Sequence, residues 1–93
     1  MNYVLIIHEV ENYQKWNEIF VKAASLRKKA GEISYQVLKY ENEFKKIVHI
    51  SKWSSLEDAK LFFESPQLVQ IRQEAGVKSP EFIYLKELEN GVL

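Results

Sequence analysis

Tyr3-Val4-Leu5-Ile6-Ile7-His8 is a short β-branched run, apolar on both parities, which reads as a strand covered on both faces rather than one half exposed. Glu81-Phe82-Ile83-Tyr84-Leu85, near the other end, has the same two-sided character and makes a last strand. Between them, Asn12 suits a helix cap. It is followed by Tyr13, Trp16, Phe20, Ala23, Ala24, Arg27 and Ala30 at spacings of three and four, and Gly31 supplies a left-handed stop. One long first helix is expected there. Ile33 to Tyr40 resumes a period of two, Glu41-Asn42-Glu43-Phe44 is a polar turn, and Lys46 to Trp53 is another β-branched run, so these residues make a hairpin. Ser54 and Ser55 precede Glu57 and Asp58 in a capping-box pattern, opening a second helix with Leu56, Ala59, Phe62 and Phe63. Ser65-Pro66 breaks that helix and starts a short third one, with Leu68, Ile71 and Ala75, that runs to Gly76.

The resulting order, β-α-β-β-α-α-β, is a split β-α-β pair, the ferredoxin-like arrangement of the α+β class. Residues 1–93 are read as one such domain. Right-handed crossovers put the first and third strands at the centre of a four-stranded antiparallel sheet, with the helices on one face. Yet the first and last strands are apolar on both sides. The uncovered face therefore presents Leu5/Ile7 or Val4/Ile6, together with Phe82/Tyr84 or Ile83/Leu85, as a patch that needs a cover. A second copy of the sheet, burying about 800 Å² per subunit, is the simplest cover, so a homodimer joined sheet to sheet is expected. A chain this short buries a modest share of its own surface and gains from such a contact.

Composition narrows the function. Hydrophobic residues make up 46% and charged residues 28%, an ordinary globular balance. Thirteen basic and thirteen acidic residues cancel, which removes the long-range field of a phosphate-backbone binder, so no nucleic-acid partner is expected. With no cysteine there is no disulfide framework, thiolate metal site or cysteine nucleophile. The longest uncharged apolar stretch, Tyr3 to Ile7, is far short of the roughly 20 residues of a membrane helix. No leader pattern precedes it, and a cytoplasmic location is expected.

Fold alone does not assign function, so particular residues have to decide between ferredoxin-like families. An RNA-recognition domain needs stacking aromatics on its central strands, and neither Val4–Ile7 nor Lys45–Lys52 offers any. Acylphosphatases hold phosphate with a glycine-rich loop and an arginine after the first strand, where this chain has Glu9-Val10-Glu11-Asn12. What the chain resembles, over almost its whole length, is the dimeric α/β-barrel superfamily, near the antibiotic-biosynthesis monooxygenases. The resemblance rests on His8-Glu9-Val10-Glu11-Asn12-Tyr13 with Trp16 and Phe20, Arg27 with Gly31, Trp53, Ser65-Pro66, Ala75-Gly76-Val77 and Pro80. It implies a dimeric α/β barrel with a cavity between sheet and helices in each subunit. Members of that superfamily include cofactor-free oxygenases, haem-degrading enzymes, isomerases and ligand-sensing or stress-associated proteins. The haem-degrading branch uses an asparagine on its first strand, a tryptophan on one helix and a histidine on the last. This chain offers His8, Phe63, and Ile71 or Arg72 at those places, so no cofactor is expected.

Within that resemblance His8 ends an apolar strand at the cavity mouth and is the candidate base. Trp16, Phe20, Trp53 and Phe62 would form an apolar box that keeps water from an activated substrate. The alternative is a structural His8 bonded to a loop or capping the strand end. His49 lies on the same face as Trp53 by parity and either lines the cavity or sits in the dimer seam. Two histidines without cysteine make a poor metal site, and no metal is expected. Arg27, on the apolar side of the first helix, either orients a carboxylate or enolate substrate or pairs with an acidic residue such as Glu74. Two functions follow. One is a small-molecule-binding homodimer acting as a cofactor-independent monooxygenase-like or isomerase-like enzyme on a small apolar cyclic substrate. The other is a non-catalytic ligand-binding or stress-associated dimer. An open cavity of several hundred cubic ångströms favours the first, and one filled by its aromatics favours the second.

Overall fold

A computed structural model describes residues 1–93. The elements are β1 (Asn2–Val10), α1 (Tyr13–Lys22), α2 (Ala24–Ala30), β2 (Glu32–Tyr40), β3 (Glu43–Trp53), α3 (Leu56–Phe63), α4 (Pro66–Glu74) and β4 (Val77–Lys86). The four strands form one antiparallel sheet in the order β2-β3-β1-β4, with β1 and β3 central. This is the expected ferredoxin-like α+β sheet. The helix starts also fall where the side chains predict: Asn12 accepts from the Lys15 N–H at 3.0 Å, Ser55 from Asp58 at 3.0 Å, and Ser65 from Leu68 at 3.3 Å with Pro66 behind it.

Two boundaries differ from the sequence reading. The expected single first helix is two helices. At Ala23 the backbone opens to φ −85° and ψ 3°, and no backbone hydrogen bond joins the Ala24 N–H to the Phe20 carbonyl. That carbonyl accepts instead from Nη1 of Arg27, so a side chain four residues into the second half takes the acceptor a continuous helix would use. The last strand begins at Val77 rather than Glu81. It pairs only with β1, and an edge strand tolerates Pro80 and the left-handed Ser79 (φ 47°) beside the register shift between Ile7 and Glu9.

The inner face of the sheet carries two hydrophobic clusters. Val4, Ile6 and Trp53 pack with Ala59, Phe62, Phe63 and Leu68, while Val10 and Ile47 pack with Trp16, Phe20 and Ala75. On β1 the residue between the two clusters is His8, and on β3 His49 follows Ile47 toward Trp53. Both histidines therefore sit at the seam. The outer face has no helix against it. Registers Leu5↔Ile50, Ile7↔Val48, Leu5↔Ile83 and Leu38↔Val48, with Leu85 two residues beyond Ile83 on β4, line up seven aliphatic side chains across all four strands there. Leu38 and Leu85 are exposed, and the other five are half-buried.

Candidate functional site

At the seam a cavity of about 70 Å³ opens partly to solvent. Its walls come from every layer: Ile6 and His8 on β1, His49 on β3, Trp16 and Phe20 on α1, Arg27 on α2, Phe62 and Phe63 on α3, Ile71 and Arg72 on α4, and Phe82 on β4. His8 reaches it because strand alternation turns Val4, Ile6, His8 and Val10 to the same side. Its side chain is neither at bulk solvent nor engaged in a strand-end cap: the residue is 5% exposed, and neither ring nitrogen has a hydrogen-bond partner. Trp16 lies against it with ring centroids 5.3 Å apart. Burial, with smaller contributions from His49 and Arg72, pushes the His8 pKa down to about 4, so the imidazole is neutral at pH 7 with a free lone pair and a free N–H.

Beside the cavity runs a buried polar chain. Glu32, the first residue of β2, receives Nε of Arg27 at 2.7 Å on one oxygen; the other meets Nε2 of His49 at 3.0 Å and the hydroxyl of Ser51. Ser51 in turn accepts from the Trp53 indole N–H at 2.6 Å. Burial alone would raise the Glu32 pKa, but hydrogen bonds from His49, Ser51 and Arg27 outweigh it and hold the carboxyl below its ordinary value. The Arg27 guanidinium also lies over the Phe20 ring, 3.7 Å from its centroid. The Arg27 partner is thus Glu32 and not Glu74, which is exposed. Gly31, at φ 130°, turns the chain so that a residue five positions on comes back against α2.

Of the residues singled out from sequence, His8, Trp16, Phe20, Arg27, His49 and Phe62 share the cavity wall. Trp53 does not. It is wholly buried in the first cluster against Phe62 and Phe63, its indole nitrogen committed to Ser51. Glu32 and Arg72 also belong to the site and lie outside the sequence expectation. The signal that could reveal Glu32 is Arg27 on an apolar helix face, which calls for a buried carboxylate, and the signal for Arg72 is an arginine next to Ile71 on a helix packed over the sheet. The cavity is a small fraction of the size of a porphyrin, α4 carries no histidine, and Nε2 of His49 is taken by Glu32, so His8 is the imidazole on this wall that keeps an uncommitted ring nitrogen. No helix is long and apolar enough to cross a membrane.

No family model and no curated protein matches the chain. Solved structures match over almost its full length. One is SnoaB, a cofactor-independent oxygenase from Streptomyces nogalater, 11% identical, with 96% of this chain and 93% of that one covered and a TM-score of 0.75. Another is a provisionally assigned antibiotic biosynthesis monooxygenase from Deinococcus radiodurans, 12% identical, covering 100% and 98% with a TM-score of 0.74. A MhuD variant with two manganese protoporphyrin IX bound per active site is 11% identical, covering 99% of each chain with a TM-score of 0.73. At these identities the likeness is one of fold: the chain has the ferredoxin-like fold of the antibiotic-biosynthesis-monooxygenase-like proteins.

Proposed function

We propose that this chain is a small-molecule-binding homodimer with a cofactor-independent, monooxygenase-like or isomerase-like site, in which His8 takes a proton from a small apolar cyclic substrate. The observation that carries this reading is a neutral imidazole, 5% exposed and without a partner, on the wall of an aromatic-lined cavity. Buried polar groups in folded proteins are nearly always satisfied, and the exceptions gather where a ligand completes them. Trp16, Phe20 and Phe62 would exclude water from the anion that proton loss creates, and the tilted Trp16 ring would hold the imidazole in place. His49, oriented by Glu32, would hold a second imidazole toward the same space. The unpartnered outer sheet face supports the dimer, since seven aligned aliphatic side chains would otherwise stay in contact with water.

One observation favours the non-catalytic alternative. About 150 Å³ accommodates benzene, and this cavity offers about 70 Å³, so a ring enters only if Trp16 or Phe62 moves aside. The two readings part under one pair of measurements. Thermal-shift screening of phenols and quinols should stabilise the wild type, by about 2.7 kcal/mol at a hundredfold excess over Kd, and leave His8→Ala and His8→Phe unmoved. Oxygen uptake with the stabilising quinol then follows: uptake lost in both variants supports the enzyme, no uptake by wild type supports the binding protein, and equal stabilisation of all three proteins removes His8 from the site.

A further inference from the structure

Charge accounting around the cavity leaves one cation without a counter-ion. Arg27 and Arg72 both contribute to its wall. The charge of Arg27 is neutralised by Glu32 at 2.7 Å, both side chains 5% exposed, so a ligand carboxylate would have to compete with Glu32 for this guanidinium. Arg72 has no carboxylate within 4 Å. It makes one hydrogen bond, from Nη1 to the Phe63 carbonyl at 2.9 Å, and lies 5.0 Å from the centroid of Phe82. Glu64, at the end of α3, is exposed and forms no ion pair with it. A guanidinium carries five N–H donors, and most of those on Arg72 remain free. Burial lowers its pKa, which is the expected penalty for a cation partly withdrawn from water without a partner. The second unpartnered group on the same wall is His8, near enough that the Arg72 charge contributes to lowering the pKa of the imidazole.

We propose that the cavity is an anion site: it takes a small carboxylate or enolate whose charged oxygens lie between Arg72 and the N–H of His8, with its apolar body against Trp16 and Phe62. This deepens the reading above and rests on it, because it names the charge of the ligand that the same cavity holds. It also reassigns the role of anion holder from Arg27 to Arg72. A site that bound neutral molecules would gain nothing from a half-buried unpaired guanidinium and would carry its desolvation cost. An anion removes that cost and gives His8 the acceptor it lacks, through charge-assisted hydrogen bonds, which are stronger than neutral ones.

Isosteric pairs separate charge from shape. Calorimetric titration of the full chain with propionate against propionamide, and benzoate against benzamide, should show the carboxylate of at least one pair binding about tenfold or more tightly than its amide. Arg72→Gln should abolish that preference, and Arg72→Lys should keep most of it, which a purely structural role for the Phe63 hydrogen bond would not predict. Urea midpoints of both variants establish that they are folded. Equal binding of acid and amide by wild type, or a preference that survives Arg72→Gln, overturns the anion site and leaves the small-molecule cavity standing. Failure of all four probes to bind also overturns it, while the phenol and quinol screen judges the parent reading separately.

Discussion

At pH 7 the unfolded chain and the folded chain both carry His8 neutral for the most part, and they diverge as the solution is acidified. Its pKa falls from an ordinary 6.5 to about 4 on folding, so between those values the unfolded state binds a proton that the folded state refuses. Stability therefore falls as pH drops through that window, by up to roughly 1.4 kcal/mol per pH unit from this group alone. Urea melts from pH 7 to pH 4 on wild type and His8→Leu test it: the slope should be shallower in the variant. At pH 7, His8→Leu should be as stable as wild type or more stable by about 1–3 kcal/mol, since an unsatisfied polar group leaves the interior while ligand binding is lost. His8 was legible in the sequence because it ends an apolar run, where an imidazole is out of place. Glu32 was not, because beside a glycine at the start of a strand it looks like surface charge until the turn at Gly31 carries it under α2.

The elements of this fold are tied together by charge as well as by packing. Glu32 connects α2 to β2 and β3, through Arg27 on one side and His49 and Ser51 on the other. Glu32→Gln leaves the Arg27 cation buried without an anion and should cost about 3–5 kcal/mol, read as a fall in the urea midpoint; a change below 1 kcal/mol would mean the chain does not hold the helix. The same network explains what periodicity missed. Spacings of three and four run unbroken from Tyr13 to Ala30, with no proline or glycine between, so nothing local marks the break at Ala23. The break is a tertiary event, in which Arg27 takes the Phe20 carbonyl on its way to Glu32. Gly31 is the position where local chemistry is strict: at φ 130° a Cβ would meet the Ser54 hydroxyl at 2.8 Å and the Trp53 ring at 3.3 Å. Gly31→Ala should lower stability by more than the roughly 1 kcal/mol of a merely strained backbone, measured by the same melts.

For the whole molecule, the strand order and the two-sided apolar strands were readable because period-two patterns are local, and the seam cavity was not, because its shape depends on seven elements meeting. In the proposed homodimer the outer sheet face is the interface. Ile50 sits near its middle, opposite Leu5 and one strand from Gln36. Ile50→Glu enters a two-fold interface twice, so it should convert a dimer to single chains of 11.0 kDa by light scattering at micromolar concentration, with the circular dichroism of the fold retained. A wild type that already scatters as one chain would remove the dimer. The most direct test of the small-molecule-binding homodimer as a unit is native mass spectrometry of wild type and His8→Phe with a stabilising phenol. A small-molecule-binding homodimer gives a two-chain species carrying up to two ligands, and the same species without ligand in the variant. A one-chain wild-type species, or equal ligand loading of the variant, would contradict it.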